Sequence, residues 1–157
     1  MAQPDCSSTS TIIQLVGQIL SLITVIGGWF VVHRLTKKRE NRKIVFEEVE
    51  NFCNSLLELE KKAIKFHLNI SFDESLAGEI SLEIQRNIAR LNFYPLSSLK
   101  IDGTFLIEFR QSITLKNFVR SEFRQLDHFH PIIKEISLSI DDLTNQLREK
   151  FINKFGN

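Results

Sequence analysis

Residues Thr11 to Val32 form an apolar run with no charged side chain and no proline. At about 1.5 Å of rise per residue, a helix over this run is about 33 Å long, enough to cross a hydrocarbon core of about 30 Å. A helix in the core of a water-soluble domain normally keeps charge on one face; this run carries none on any face. The expectation is a single transmembrane helix over residues 11–33.

What flanks the run sets its orientation. Arg34, Lys37, Lys38, Arg39, Arg42 and Lys43 crowd its C-terminal side, opposed only by Glu40. Basic residues favour the cytoplasmic side, which puts residues 1–10 outside and the chain from about residue 34 onward in the cytoplasm of an inner (plasma) membrane protein. A cleavable secretion signal has its basic residues before the apolar run, and Val31-Val32-His33 is a poor cut site. A signal-anchor is expected, with Trp29 at the inner boundary and residues 34–43 as a basic juxtamembrane segment against lipid headgroups.

Beyond that segment, 17 acidic and 14 basic residues follow from Ile44 onward. No basic stripe marks a nucleic-acid binder. Residues 44–157 suffice for one small domain, and 13 Phe against one Trp and one Tyr indicate a Phe-filled core. Cys6 and Cys53 would lie on opposite sides of the membrane, so no disulfide is expected between them, and Cys53 reads as a small buried hydrophobe.

Inside the run, Gln14, Gly17, Ser21, Thr24 and Gly28 recur at spacings of 3, 4, 3 and 4. Small residues let two backbones approach in lipid, so this stripe is the expected transmembrane contact face. The same frame continues through Val31, Leu35, Lys38 and Arg42 to Val45, Val49, Phe52, Leu56, Leu59, Ala63, Phe66 and Ile70, widened by Phe46, Cys53, Leu57 and Ile64. Such a broad stripe suits a bundle helix.

Ser71-Phe72-Asp73-Glu74 reads as a capping box. It opens a helix with Leu76, Ile80, Ile84, Ile88 and Leu91 on one face, ended by Tyr94-Pro95. Residues 96–103 form a connector, although Asp102-Gly103 also offers a hairpin signal. A helix from Thr104 to about Thr114 turns Phe105, Phe109 and Ile113 inward. Residues 115–128 lack a clean period. Pro131 suits a first turn, and Phe129, Ile133, Ile136, Ile140, Leu143, Leu147 and Phe151 carry a last helix toward Gly156. The expected fold is all-α: one transmembrane helix continuing into a cytoplasmic antiparallel bundle of about four helices.

The segment Gly28-Trp29-Phe30-Val31-Val32-His33-Arg34-Leu35, followed by Lys37-Lys38-Arg39, resembles the membrane exit of uncharacterised small bacterial single-pass membrane proteins with a C-terminal helical domain. Phe109-Arg110-Gln111-Ser112-Ile113-Thr114 is similar to a segment of that domain; a Gly pair and an acidic-aromatic stretch then follow in those proteins, where Leu115-Lys116-Asn117-Phe118 stands here. The resemblance implies a helical cytoplasmic domain and no activity.

Chemistry is sparse. His128 and His130, with Asp127 beside them, are the only close pair of metal-type ligands, one or two short of a zinc site. His33 falls at the membrane boundary and His67 on the polar side of the long helix. Lys43 with Glu47, and Glu58 with Lys62, are spaced to pair on a helix surface. No phosphate loop, nucleophile motif or cofactor signature is present, so no enzyme, metal or cofactor is expected. The expected function is a membrane-anchored interaction or regulatory module, self-associating or bound to a membrane protein partner. The alternative is a membrane-perturbing effector of toxin or anti-phage type, its helices lining a leak through Gln14, Gln18, Ser21 and Thr24. An enzyme built on Asp127, His128 and His130 ranks third.

Overall fold

A computed structural model describes residues 6–156, with side chains from Val16 onward. Residues 1–5 of the expected outer tail, and the side chain of Gln14, lie outside the described residues. Among these there are four α-helices and no strand: α1 (Cys6–Leu68), α2 (Glu74–Leu91), α3 (Gly103–Thr114) and α4 (Pro131–Phe155), with a short 3-10 helix at Leu96–Leu99. The chain divides into two units, Met1–Arg42 and Lys43–Asn157.

In the first unit the described side chains from Val16 to Arg42 are exposed, apart from half-buried Asn41. This part of α1 is long and apolar enough to cross a membrane. Among its described residues none of the apolar side chains is buried.

The second unit owns the core. Val45, Val49, Phe52, Leu56, Leu59, Ala63 and Phe66 recur three or four residues apart on α1 and are all buried. Cys53 is buried beside them. Helix α2 contributes Ala77, Ile80, Ile84 and Leu91, with Ile88 half-buried against the same cluster; α3 contributes Phe109 and Ile113; α4 contributes Ile133, Ile136, Ile140, Leu143, Leu147 and Phe155. The 3-10 helix adds Leu96 and Leu99. Phe66 organises an aromatic cluster, with ring centroids at 5.5 Å from Phe72, 4.9 Å from Phe118 and 5.2 Å from Phe123.

The helix ends depart from the sequence pattern. Asp73, not Ser71, caps α2, its Oδ1 accepting the Leu76 N–H at 3.0 Å. A carboxylate at that position bonds the orphan amides as well as a hydroxyl does and leaves Glu74 in the first turn, against the positive end of the helix dipole. Helix α2 stops at Leu91, before the cis Tyr94–Pro95 bond. Asp102-Gly103 forms no hairpin: Asp102 caps α3, accepting the Thr104 N–H at 3.0 Å. Pro131 takes the first turn of α4, and Gly156 follows its end.

Four other expectations are overturned. Ile70 and Phe129 keep the helical spacing, yet they are 87% and 95% exposed because α1 ends at Leu68 and α4 begins at Pro131. Phe46 and Leu57 are exposed as well, the first with its ring 5.5 Å from that of Phe151. Glu58 pairs with Lys61 at 2.7 Å, because Lys62 turns instead to Glu83 and Glu79 on α2. His67 is fully buried rather than on a polar face.

Candidate functional site

Helix α1 presents many exposed large apolar side chains between Val16 and Val32, with Leu35 one turn beyond. A contiguous apolar surface of this extent needs a cover, and water is not one. Gly17, Ser21, Thr24 and Gly28 repeat along it, and a Cβ built on either glycine meets nothing within 4 Å. Gly17, Gln18, Ser21, Leu22 and Val25 line a shallow open groove. Thr24 Oγ1 donates to the Leu20 carbonyl one turn back, at 2.9 Å, so its hydroxyl is already satisfied within the helix.

At the end of the apolar series, Trp29 stacks on His33, ring centroids 5.5 Å apart and planes at 11°. Arg34, Lys37, Lys38, Arg39 and Arg42 are all exposed, as is Lys43 beyond them. Lys43 reaches Glu47 at 3.6 Å, the i,i+4 pair expected from the spacing. The other cations of this segment are exposed, with no buried counter-charge among the described residues.

Within the second unit a polar seam joins α1 to α2. Arg90 Nη2 donates to Glu48 at 2.8 Å and Nη1 to Ser55 Oγ at 3.2 Å, while its guanidinium lies 5.2 Å from the centre of the Phe52 ring. Ser55 Oγ also donates to Oδ1 of the buried Asn87, at 3.1 Å. Lys62 closes the seam on Glu83, whose hydrogen bond raises the lysine above its ordinary value. Every group in the seam has a partner, as a structural network requires.

The segment between α3 and α4 is held to the end of α1. Asn117, at φ 56°, binds across its own loop, taking the Arg124 N–H at 2.6 Å and giving Nδ2 to the Arg124 carbonyl at 2.9 Å. Leu126 N–H then caps the His67 carbonyl at 2.9 Å, and Gln125 Nε2 the Leu68 carbonyl at 3.2 Å. The loop thus supplies the donors that the last turn of α1 lacks.

His130 spends Nδ1 accepting the Ile132 N–H at 3.2 Å as the cap of α4, and His128 is exposed. No group of three His, Cys, Asp or Glu among the described residues is placed to hold a metal. Burial pushes the Cys53 thiol up, away from the reactive thiolate. In the open groove between α3 and α4, Ser112 and Ser139 face each other at 2.6 Å, but each also bonds a carbonyl of its own helix, at Phe109 and Ile136. Glu108, Glu135 and Asp142 line the same groove, but among the described residues neither hydroxyl is hydrogen-bonded to a carboxylate or an imidazole.

Sequence reasoning missed Asn87, Arg90, Asn117 and the burial of His67. Their partners lie 32 to 50 residues away, and no local spacing announces such a pairing. Compared with known protein families, with curated proteins and with solved structures, the chain matches none.

Proposed function

We propose that the chain is a single-pass protein of the inner membrane whose cytoplasmic antiparallel bundle serves as an interaction or regulatory module. The observation that carries this reading is the exposed, uncharged apolar surface of α1, bounded on its C-terminal side by six basic residues. Residues 11–33 span the bilayer, residues 1–10 lie outside, and the basic segment 34–43 marks the cytoplasmic side, each cation near an anionic surface contributing about 1 kcal/mol. Self-association runs along Gly17, Ser21, Thr24 and Gly28, where small side chains permit close backbone approach. The domain of residues 44–157 presents the surface that a second copy or a membrane protein partner meets.

Site-directed crosslinking in membranes tests the proposal. With Cys6→Ser as background, Ser21→Cys and Glu58→Cys are expected to give dimer bands on oxidation or with a short bifunctional reagent. Monomer at both positions would remove self-association. The groove at Gly17, Gln18 and Ser21 supports a second reading, an oligomeric leak made by a membrane-perturbing effector. Induced expression with a membrane-potential dye separates the two, since a passive module leaves the potential intact.

A further inference from the structure

Phe93 and Tyr94 follow α2 at one end of the second unit and are 69% and 63% exposed. Three contacts identify which end. Arg90, just before them, reaches Glu48; Phe151 of α4 lies against Phe46; and Lys154 Nζ donates to the Ser98 carbonyl at 2.6 Å, holding the 3-10 helix against the end of α4. The aromatic pair therefore shares its end of the unit with Lys43, the first residue of that unit. Exposed Ile152 is there too, with Lys100 and with Lys150, which lies close enough to Asp102 to favour its carboxylate. The acids at this end are occupied or outward-facing: Glu47 pairs with Lys43, Asp102 caps α3, and Glu149 is exposed.

We infer that this end of the domain is a second lipid-contacting surface, seated on the anionic headgroup layer through Phe93, Tyr94 and Ile152 with lysines around them. The inference rests on the membrane anchoring proposed above. Only residues 34–42 separate the apolar run from Lys43, and fully extended they reach about 30 Å at most. The far end of the unit, with exposed Ile70 and Phe129, is removed from Lys43 by the length of α1 to Leu68, about 37 Å of helix. An apolar ring with a polar tip, such as Tyr94, is the side chain favoured at headgroup level, and lysines beside it match the sign of an anionic leaflet.

Tryptophan quenching in full-length proteoliposomes of phosphatidylglycerol and phosphatidylcholine, with lipids brominated near the headgroup, provides the test. Trp29, the only native tryptophan, reports anchoring. In a Trp29→Phe background, Tyr94→Trp and, as a second reporter, Phe93→Trp report the near end, and Phe129→Trp the far end. The expected result is loss of emission at 94 and 93 approaching that at 29, with none at 129. Quenching at 29 but not at 93 or 94 overturns the inference and leaves anchoring intact. Equal quenching at 94 and 129 overturns it, since the contact would not be specific to one end. A blue shift at 94 without quenching assigns the surface to a protein instead and also overturns it. No quenching at 29 removes the anchoring and the inference with it.

Discussion

Asn117 Nδ2 lies 3.2 Å from Nδ1 of His67, fifty positions earlier in the chain, and the two side chains meet where water is excluded. An amide N–H2 only donates, so His67 Nδ1 accepts and Nε2 carries the ring proton. That buried Nε2 makes no full hydrogen bond among the described residues, although the Ile113 carbonyl lies near enough to favour its proton. The loop between α3 and α4 is thus tied to α1 by a neutral imidazole beside Phe66 and Phe118.

A pH dependence follows from that neutrality. Burial lowers the affinity of His67 for a second proton; the Ile113 carbonyl works against this, and a proton on nearby His130 would work with it. The unfolded chain protonates the ring near the ordinary value of 6.5, so the unfolded state binds more protons below it. His67 therefore contributes its full stability above that pH and loses it as the pH falls toward the lowered folded value, at up to about 1.4 kcal/mol per unit. Urea unfolding of the full chain in detergent across this window should show the slope, and His67→Gln should flatten it. Parallel profiles for the two proteins would mean that the folded ring takes up protons freely.

Asn117 carries more than one bond. Asn117→Ala removes three side-chain hydrogen bonds and places a Cβ-only residue at φ 56°, a cost of about 2–4 kcal/mol. Asn117→Gly relieves the backbone alone and should recover about 1 kcal/mol of that loss. Hydrogen exchange at the Leu126 amide, which caps the His67 carbonyl, should quicken in both variants. An unchanged rate there would show that the loop is held elsewhere.

Two phenylalanines on helical spacing should behave in opposite ways. Phe52 is fully buried, and Phe52→Ala should cost about 3–5 kcal/mol through lost burial and the cavity left behind. Phe129 is almost wholly exposed, and Phe129→Ala should stay within about 0.5 kcal/mol of wild type. Denaturant midpoints for the pair decide whether periodicity or the helix boundary governs burial at residue 129.

That contrast locates the limit of what periodicity tells. The frame from Val45 to Phe66 and the series Ile133, Ile136, Ile140, Leu143 and Leu147 were legible because repeated spacing over several turns leaves one solution for the buried face. Ends were not legible: Ser71 and Asp73 are both good caps, and the choice depends on where α2 meets the core. Asn87 occupies a buried helical position that an apolar template would give to leucine, and it is tolerated only because Ser55, on another helix, donates to it. The uncharged run is legible as one helix, long and apolar enough to cross a membrane, because length and composition alone define it.

The stripe of Gly17, Ser21, Thr24 and Gly28 yields the last prediction, which separates steric from polar contributions to the self-association proposed for it. Thr24 already donates its one hydroxyl proton to the Leu20 carbonyl, so Thr24→Val removes no free donor, only an acceptor oxygen, from the face a second helix would meet. Its effect on dimerisation in membranes should stay below about 0.6 kcal/mol, the average for an interhelical hydrogen bond in lipid. Gly17 and Gly28 have open space where a side chain would stand, so Gly17→Ile and Gly28→Ile leave each helix intact while holding two backbones apart. Energy transfer between labelled copies in liposomes should drop sharply for both glycine variants and little for Thr24→Val. The reverse order would assign the contact to hydrogen bonding and move it off the glycine face.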